Sequence, residues 1–158
     1  MPLITTTRLR LRSRRFLPQL YYYTWTICRQ ARRTPGFLKG RLFLGSDRLP
    51  PSMMFFGRHP GYWTMTMWED REAMLGFRDH GSHREAMPKG AEWVQEASTV
   101  TWEQDSEELP SLGEAHDRMR EDGRLMPSNH PSEAHASGEI PEEPNLRSFI
   151  TFRPADGG

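Results

Sequence analysis

The stretch HGSHREAM, residues 80–87, sets two histidines three positions apart, with an arginine and a glutamate close behind. Imidazoles can bind a metal ion, ligate haem iron or move protons near neutral pH. The i, i+3 spacing suits a metal only on an unbroken helix, and Gly81-Ser82 interrupts the helix between His80 and His83. No carboxylate pair stands nearby to complete a coordination set, so no metal is expected here. His83 alone is better placed. It follows a helix start, whose positive end lowers an imidazole pKa and keeps a neutral ring able to ligate haem iron or shuttle protons. The same letters have a plain structural reading, in which Ser82 and Glu85 form a capping box and His83 is packed at a helix junction. Other chemistry finds no support: Ser-His-Asp triads, phosphate loops and paired carboxylates are missing as constellations. The single cysteine, Cys28, excludes an internal disulfide and a cysteine zinc site.

The elements that must position His83 can be read from periodicity. TTTRLRLRSRR (5–15) alternates, with Leu9 and Leu11 opposite Arg8, Arg10 and Arg12, as a half-covered strand does. RFLPQLYYYTWTICRQARRTPG (15–36) has Phe16, Leu20, Tyr23, Ile27 and Ala31 at helical spacing. Pro18 is tolerated near its first turn, and Thr34-Pro35-Gly36 stops it. FLKGRLFLG (37–45) is a second strand. GYWTMTMWED (61–70) is a third, with Trp63, Met65 and Met67 opposite Tyr62, Thr64, Thr66 and Trp68. Asp70 caps a helix over DREAMLGFRDHG, a second helical piece follows Gly81, and ASTVTWEQD (97–105) is the fourth strand. The order β-α-β-β-α-β is the ferredoxin-like arrangement: an α+β fold with a four-stranded antiparallel sheet and helices on one face. The first domain spans 1–105. Residues 106–158 form a polar extension, with a short helix at 111–122 capped by Ser111 and Glu114 and an edge strand in LRSFITF (146–152).

Charge is divided along the chain. Residues 1–46 hold ten Arg or Lys and no acid; residues 1–104 hold 16 basic against 9 acidic groups, and 105–158 hold 5 against 12. Such a split points to a basic face meeting an anionic partner, or to neutralisation by the chain's own acidic extension. No apolar run is long enough to cross a bilayer and the first residues alternate with arginine, so a cytoplasmic protein is expected.

The strands imply a sheet whose leucines, Trp63, Met65, Met67, Val100 and Trp102 face the helices. Arg8, Arg10, Arg12, Lys39 and Arg41 would share the other face with Tyr62 and Trp68. Unpaired buried charge costs several kcal/mol, so that face calls for a cover, and a second subunit in a homodimer is the expected one. Nucleic-acid binding through the same face is disfavoured by the neutral net charge and the missing aromatic-glycine signature.

The run YWTMTMWEDREAMLGFRDHGSHREAMPKGAEW (62–93), with its strand, acidic pair after Trp68 and S-H-R-x-A-M, resembles the antibiotic-biosynthesis-monooxygenase-like superfamily, in an uncharacterised branch. A more distant likeness is to spheroidene monooxygenases, which depend on haem. The resemblance covers about residues 3–104 and implies a dimeric α/β barrel. It implies catalytic roles for His83 and Trp68, with His83 as iron ligand or acid/base. Cofactor-free and haem-dependent chemistry both remain open, so the cofactor is not fixed. Pro88 and the MMFF loop depart from a simple transfer.

The implied function is an oxygenase-like enzyme for a small apolar substrate, aromatic or isoprenoid. Its pocket would lie between sheet and helices, lined by Tyr23, Trp25, Trp63, Met67, Phe77, Met87 and Trp93. The same side chains also make an ordinary core. The alternative is a non-catalytic dimeric binding protein, whose first helix rests on a partner or an anionic membrane through Tyr21-Tyr22-Tyr23, Trp25 and flanking arginines.

Overall fold

A computed structural model describes residues 1–44, 61–141 and 147–156; the MMFF loop and His59 lie outside the described residues. The predicted order appears in the first 103 residues: β1 (Leu3–Leu11), α1 (Leu17–Arg33), β2 (Phe37–Leu44), β3 (Gly61–Trp68), α2 (Arg71–Arg78), α3 (Gly81–Trp93) and β4 (Val94–Glu103). Beyond it come α4 (Leu112–Asp122), β5 (Arg124–Leu125), α5 (Glu133–Ser137) and β6 (Arg147–Phe152). Local chemistry sets the boundaries. Pro18 sits in the first turn of α1, Asp70 accepts the Ala73 amide at the start of α2, and Ser111 accepts the Glu114 amide at the start of α4. Ser82 is not a cap. His80 occupies the N-cap of α3 without a side-chain capping bond, its Nδ1 lying 2.8 Å from the Gly76 carbonyl instead, because Gly81 turns the chain one residue earlier than the capping-box pattern requires.

The sheet has six strands rather than four, in the order β5-β4-β1-β3-β2-β6, and every pair is antiparallel. The extension supplies both edges. The central four strands keep the ferredoxin-like arrangement, with α1, α2 and α3 on one face.

Register corrects the expected distribution of side chains. Leu3 pairs with Trp68 and Leu9 with Tyr62, whereas Arg8 pairs with Trp63 and Thr6 with Met65. Directly opposed residues share a face. Tyr62 and Trp68 therefore join the leucines under the helices: Tyr62 packs with Leu11 and Leu20, and Trp68 with Leu3, Ala31 and Phe77. Trp63, Met65, Met67 and Val100 fall on the arginine side, beside Ile4 and Phe43, with Trp102 packed against them. A bulge between Phe37 and Lys39 also splits the leucines of β2, sending Leu38 to that second core and Leu42 to the helical one.

The second face is covered from within the chain. Ala115 and Met119 of α4, both fully buried, close over Trp63 and Met67, with Leu109, Leu112 and Ile140 around them. The His116 ring lies 5.8 Å from that of Trp63. The extension thus takes the place that a second subunit was expected to fill there, and it shares a core with the first 105 residues.

One charge is sealed beneath this layer. Arg8, 2% exposed, donates to Glu96 at 2.6 Å; Ser132, the N-cap of α5, donates to the other carboxylate oxygen at 2.8 Å, and Arg10 stands 3.8 Å away. Burial pushes the Glu96 carboxyl up, but the hydrogen bonds from Arg8 and Ser132 and the two guanidinium charges outweigh it and hold the group below its ordinary value. A carboxylate held low stabilises the fold above the unfolded-state pKa and loses that contribution as pH falls through the native one. Arg8→Ala removes the closest partner of the buried carboxylate, leaving Ser132 and the more distant Arg10. The expected loss is about 3–5 kcal/mol at neutral pH by urea unfolding, and the acid-side decline of stability should shrink or reverse because burial then dominates.

Candidate functional site

His83 sits where α1, α2, α3 and the end of β3 converge. The sequence brings it there through Gln30, which lies one residue before buried Ala31 and three after Ile27 on the inward stripe of α1. Its side-chain amide donates to the carbonyls of Phe77 and His80, both at 2.9 Å. Its oxygen accepts the His83 amide at 3.0 Å. The turn from α2 to α3 is tied to α1 by these three bonds. Gly81 adopts φ +56° directly under this side chain, where an added Cβ would stand 2.9 Å from the Gln30 amide; a left-handed, crowded position needs glycine.

The His83 imidazole is fixed in one tautomer. Its Nδ1 lies 3.1 Å from the Arg78 carbonyl, and a carbonyl only accepts, so Nδ1 carries the proton. Burial lowers the pKa and the Arg78 charge assists, against the opposing carbonyl bond and Asp79 charge; the balance lies below the ordinary histidine value. At neutral pH the ring is therefore uncharged, with the Nε2 lone pair as its basic atom. The ring packs against Phe77 with centroids 4.8 Å apart. Phe77 in turn packs on Trp68 at 4.9 Å, Trp68 on Phe37 at 5.2 Å and Phe37 on Phe152 at 5.4 Å. Trp68 is fully buried and donates its indole N–H to Thr66 at 3.0 Å.

The structure divides the proposed lining. Phe77 is the only one of those seven residues whose ring touches His83, and it separates His83 from Trp68. Tyr23 and Trp93 pack at 5.3 Å in the seam between α1 and α3. There the Tyr23 hydroxyl donates to Glu85 at 3.1 Å and accepts from Lys89 at 2.7 Å, so Glu85 serves this seam rather than a capping box. Met87 is exposed, and Trp25 is 61% exposed on the outer side of α1. Trp63 and Met67 lie across the sheet beneath α4. One pocket between sheet and helices cannot contain all seven. Sequence reasoning missed Gln30, whose only advance signal is an amide on an apolar helical stripe.

Haem would be ligated through Nε2 of His83, whose ring packs on Phe77 and through it on Trp68; no step is routed through the group. Among the described residues no group of three or more histidine, cysteine, aspartate and glutamate side chains is gathered for a metal. Burial pushes the Cys28 thiol up to about 11, which keeps it protonated and unreactive at neutral pH.

The tautomer and the depressed pKa are directly measurable. Long-range nitrogen–proton NMR should show His83 protonated on Nδ1, with a titration midpoint below about 6.5. Because the unfolded chain takes up this proton first, His83 should lower stability as pH falls from the ordinary histidine pKa toward its native one, and His83→Gln should remove that slope.

Comparison with known proteins places this arrangement. No curated protein matches the sequence. A protein from Nitrosomonas europaea described as an antibiotic biosynthesis monooxygenase superposes with a TM-score of 0.50 at 12% identity, over 66% of this chain and 99% of that one. A mutant of SnoaB, a cofactor-independent oxygenase from Streptomyces nogalater, gives 0.48 at 12% identity, over 70% and 98%. The first likeness establishes the fold as that of antibiotic-biosynthesis-monooxygenase-like proteins. The family model described as "Domain of unknown function (DUF3291)" matches residues 19–129, a span that takes in α1, the His83 junction and α4, and the chain belongs to that family.

Proposed function

We propose that this protein is a small oxygenase-like enzyme that uses no haem, with His83 as the proton-accepting group for an apolar, electron-rich substrate that itself reacts with dioxygen. The observation that carries this reading is the state of His83. A ring held neutral at pH 7, with Nδ1 tied to a backbone carbonyl, presents a basic Nε2 in a fixed direction beside an aromatic wall. A general base must be unprotonated and held in a fixed orientation at the working pH; a pKa below the ordinary histidine value supplies the first, at the cost of some basicity, and the Arg78 carbonyl bond supplies the second. The fold adds support by analogy only, since one fold hosts many reactions. Phe77 forms the wall nearest the base, and Trp68 backs it from the sheet. Tyr23, Trp93 and Met87 flank the junction along the α1–α3 seam, while Trp25 stands at its outer rim; Trp63 and Met67 have no part in this site.

The working unit proposed here is a homodimer whose contact lies outside the surface under α4. Light scattering of the purified chain should give twice the mass of one chain; a single-chain mass at assay concentration removes the dimer and leaves the His83 assignment standing.

Dioxygen uptake with a panel of hydroquinones, polyphenols and isoprenoid phenols tests the reaction. A substrate found this way should be oxidised at least about 100-fold more slowly by His83→Ala, the lower range for loss of a general base, with unchanged circular dichroism. Equal rates for both proteins would show that His83 is a packed junction residue and nothing more.

A further inference from the structure

We infer that the outer face of α1 is a docking surface for an anionic lipid membrane. The face is defined by exposure along α1 and the short 3-10 turn Arg14–Phe16 that leads into it. Arg14, Arg15, Pro18, Gln19, Tyr22, Trp25, Arg29, Arg32 and Arg33 are all exposed, while Leu20, Tyr23 and Ala31 of the same helix are buried against the sheet. Five cations and two large aromatics thus stand among these nine residues, none of which is acidic, in a stretch (1–46) whose charged residues are all basic.

The aromatics are the unusual part. Tyr22 and Trp25 are each 61% exposed, among the few large apolar side chains left outside. All four other tryptophans are buried or half-buried. An exposed indole beside arginine costs solubility with no return inside the fold, whereas at a lipid interface its ring enters the headgroup layer and its N–H stays wet. Arg29 lies over the Trp25 ring at 5.6 Å, so a cation and the aromatic anchor are presented together. Beside them a hollow of about 280 Å³ is lined by Trp25, Thr26, Arg29, Gln30, Arg33 and Ser82. The Arg29 and Arg33 guanidinium groups, with the Ser82 hydroxyl, suit one phosphate headgroup there.

The geometry favours a surface-lying contact over insertion. Among the described residues no helix is long and apolar enough to cross a membrane, and the inner side of α1 is committed to the sheet. Each arginine near an anionic surface adds to the attraction, so three on the helix and two just before it bind by charge, and two rings anchor the contact. A membrane contact of this kind would bring an apolar substrate within reach of the His83 junction, but it does not depend on that assignment.

Vesicle flotation and tryptophan emission test the surface. The intact chain should float with vesicles of phosphatidylcholine mixed with phosphatidylglycerol, fail to float with phosphatidylcholine alone, and be released as salt rises. Mixed vesicles should shift tryptophan emission to the blue, and Trp25→Phe should abolish the shift. Arg29→Glu should weaken the partition about tenfold or more, while Arg124→Glu, an equal change of net charge at an exposed position on β5, should leave it within a factor of two. Inorganic phosphate or glycerophosphate at matched phosphate concentration should produce no shift. Equal binding to neutral vesicles, equal effects of the two arginine reversals, or a shift with soluble phosphate would overturn the inference. Absence of binding to anionic vesicles at low salt would do so too, leaving an acidic protein as the occupant to seek.

Discussion

The pairing of β1 with β3 is the constraint on which the rest of this molecule turns. Because side chains alternate along a strand, placing Leu3 against Trp68 and Arg8 against Trp63 assigns every other residue of both strands at once. A slip of one residue would bring Trp63, Met65 and Met67 beneath the helices and expose Tyr62 and Trp68 to the other side. The observed register does the opposite. It gives the sheet two apolar faces, and a sheet with two apolar faces must be covered twice.

That requirement explains the C-terminal extension. By composition it is polar and acidic, yet it contributes the few apolar groups the second face needs: Leu109, Leu112, Ala115, Met119 and Ile140. It also supplies Ser132 to the buried Arg8–Glu96 pair, where a third partner allows a charge to stay ionised away from water. The charge asymmetry of the sequence is therefore met only in part within the fold. Lys39 reaches Glu108 at 3.5 Å, whereas Arg29, Arg32 and Arg33 of α1 remain exposed, Arg32 meeting the extension through the Arg153 carbonyl.

The helical face follows a different logic. Gln30 ties three backbone groups of the α2–α3 turn, and that turn fixes His83. A single amide on α1 thus orients the imidazole from a distance of more than fifty residues in sequence. Phe77 then packs against the imidazole and links it to Trp68 in the sheet. Imidazole and Phe77 are held by helices rather than by a loop, which fixes their mutual orientation.

Much was legible in the letters alone. Alternation located β1, β2 and β3 and, apart from its first three residues, the fourth strand; Pro18, Asp70 and Ser111 marked helix starts; LRSFITF proved to be an edge strand; and the α+β order followed. These are local matters, settled by sterics and by hydrogen bonds within a few residues. Alternation says which residues of a strand share a face, but not which face of the sheet that is, and β3 is apolar on both sides. Only the pairing of strands far apart in sequence could decide that Trp63 and Met67 leave the helical side, that a bulge separates Leu38 from Leu42, and that Gln30 meets His83. Those are long-range contacts, whose energies depend on what lies opposite rather than on what comes next.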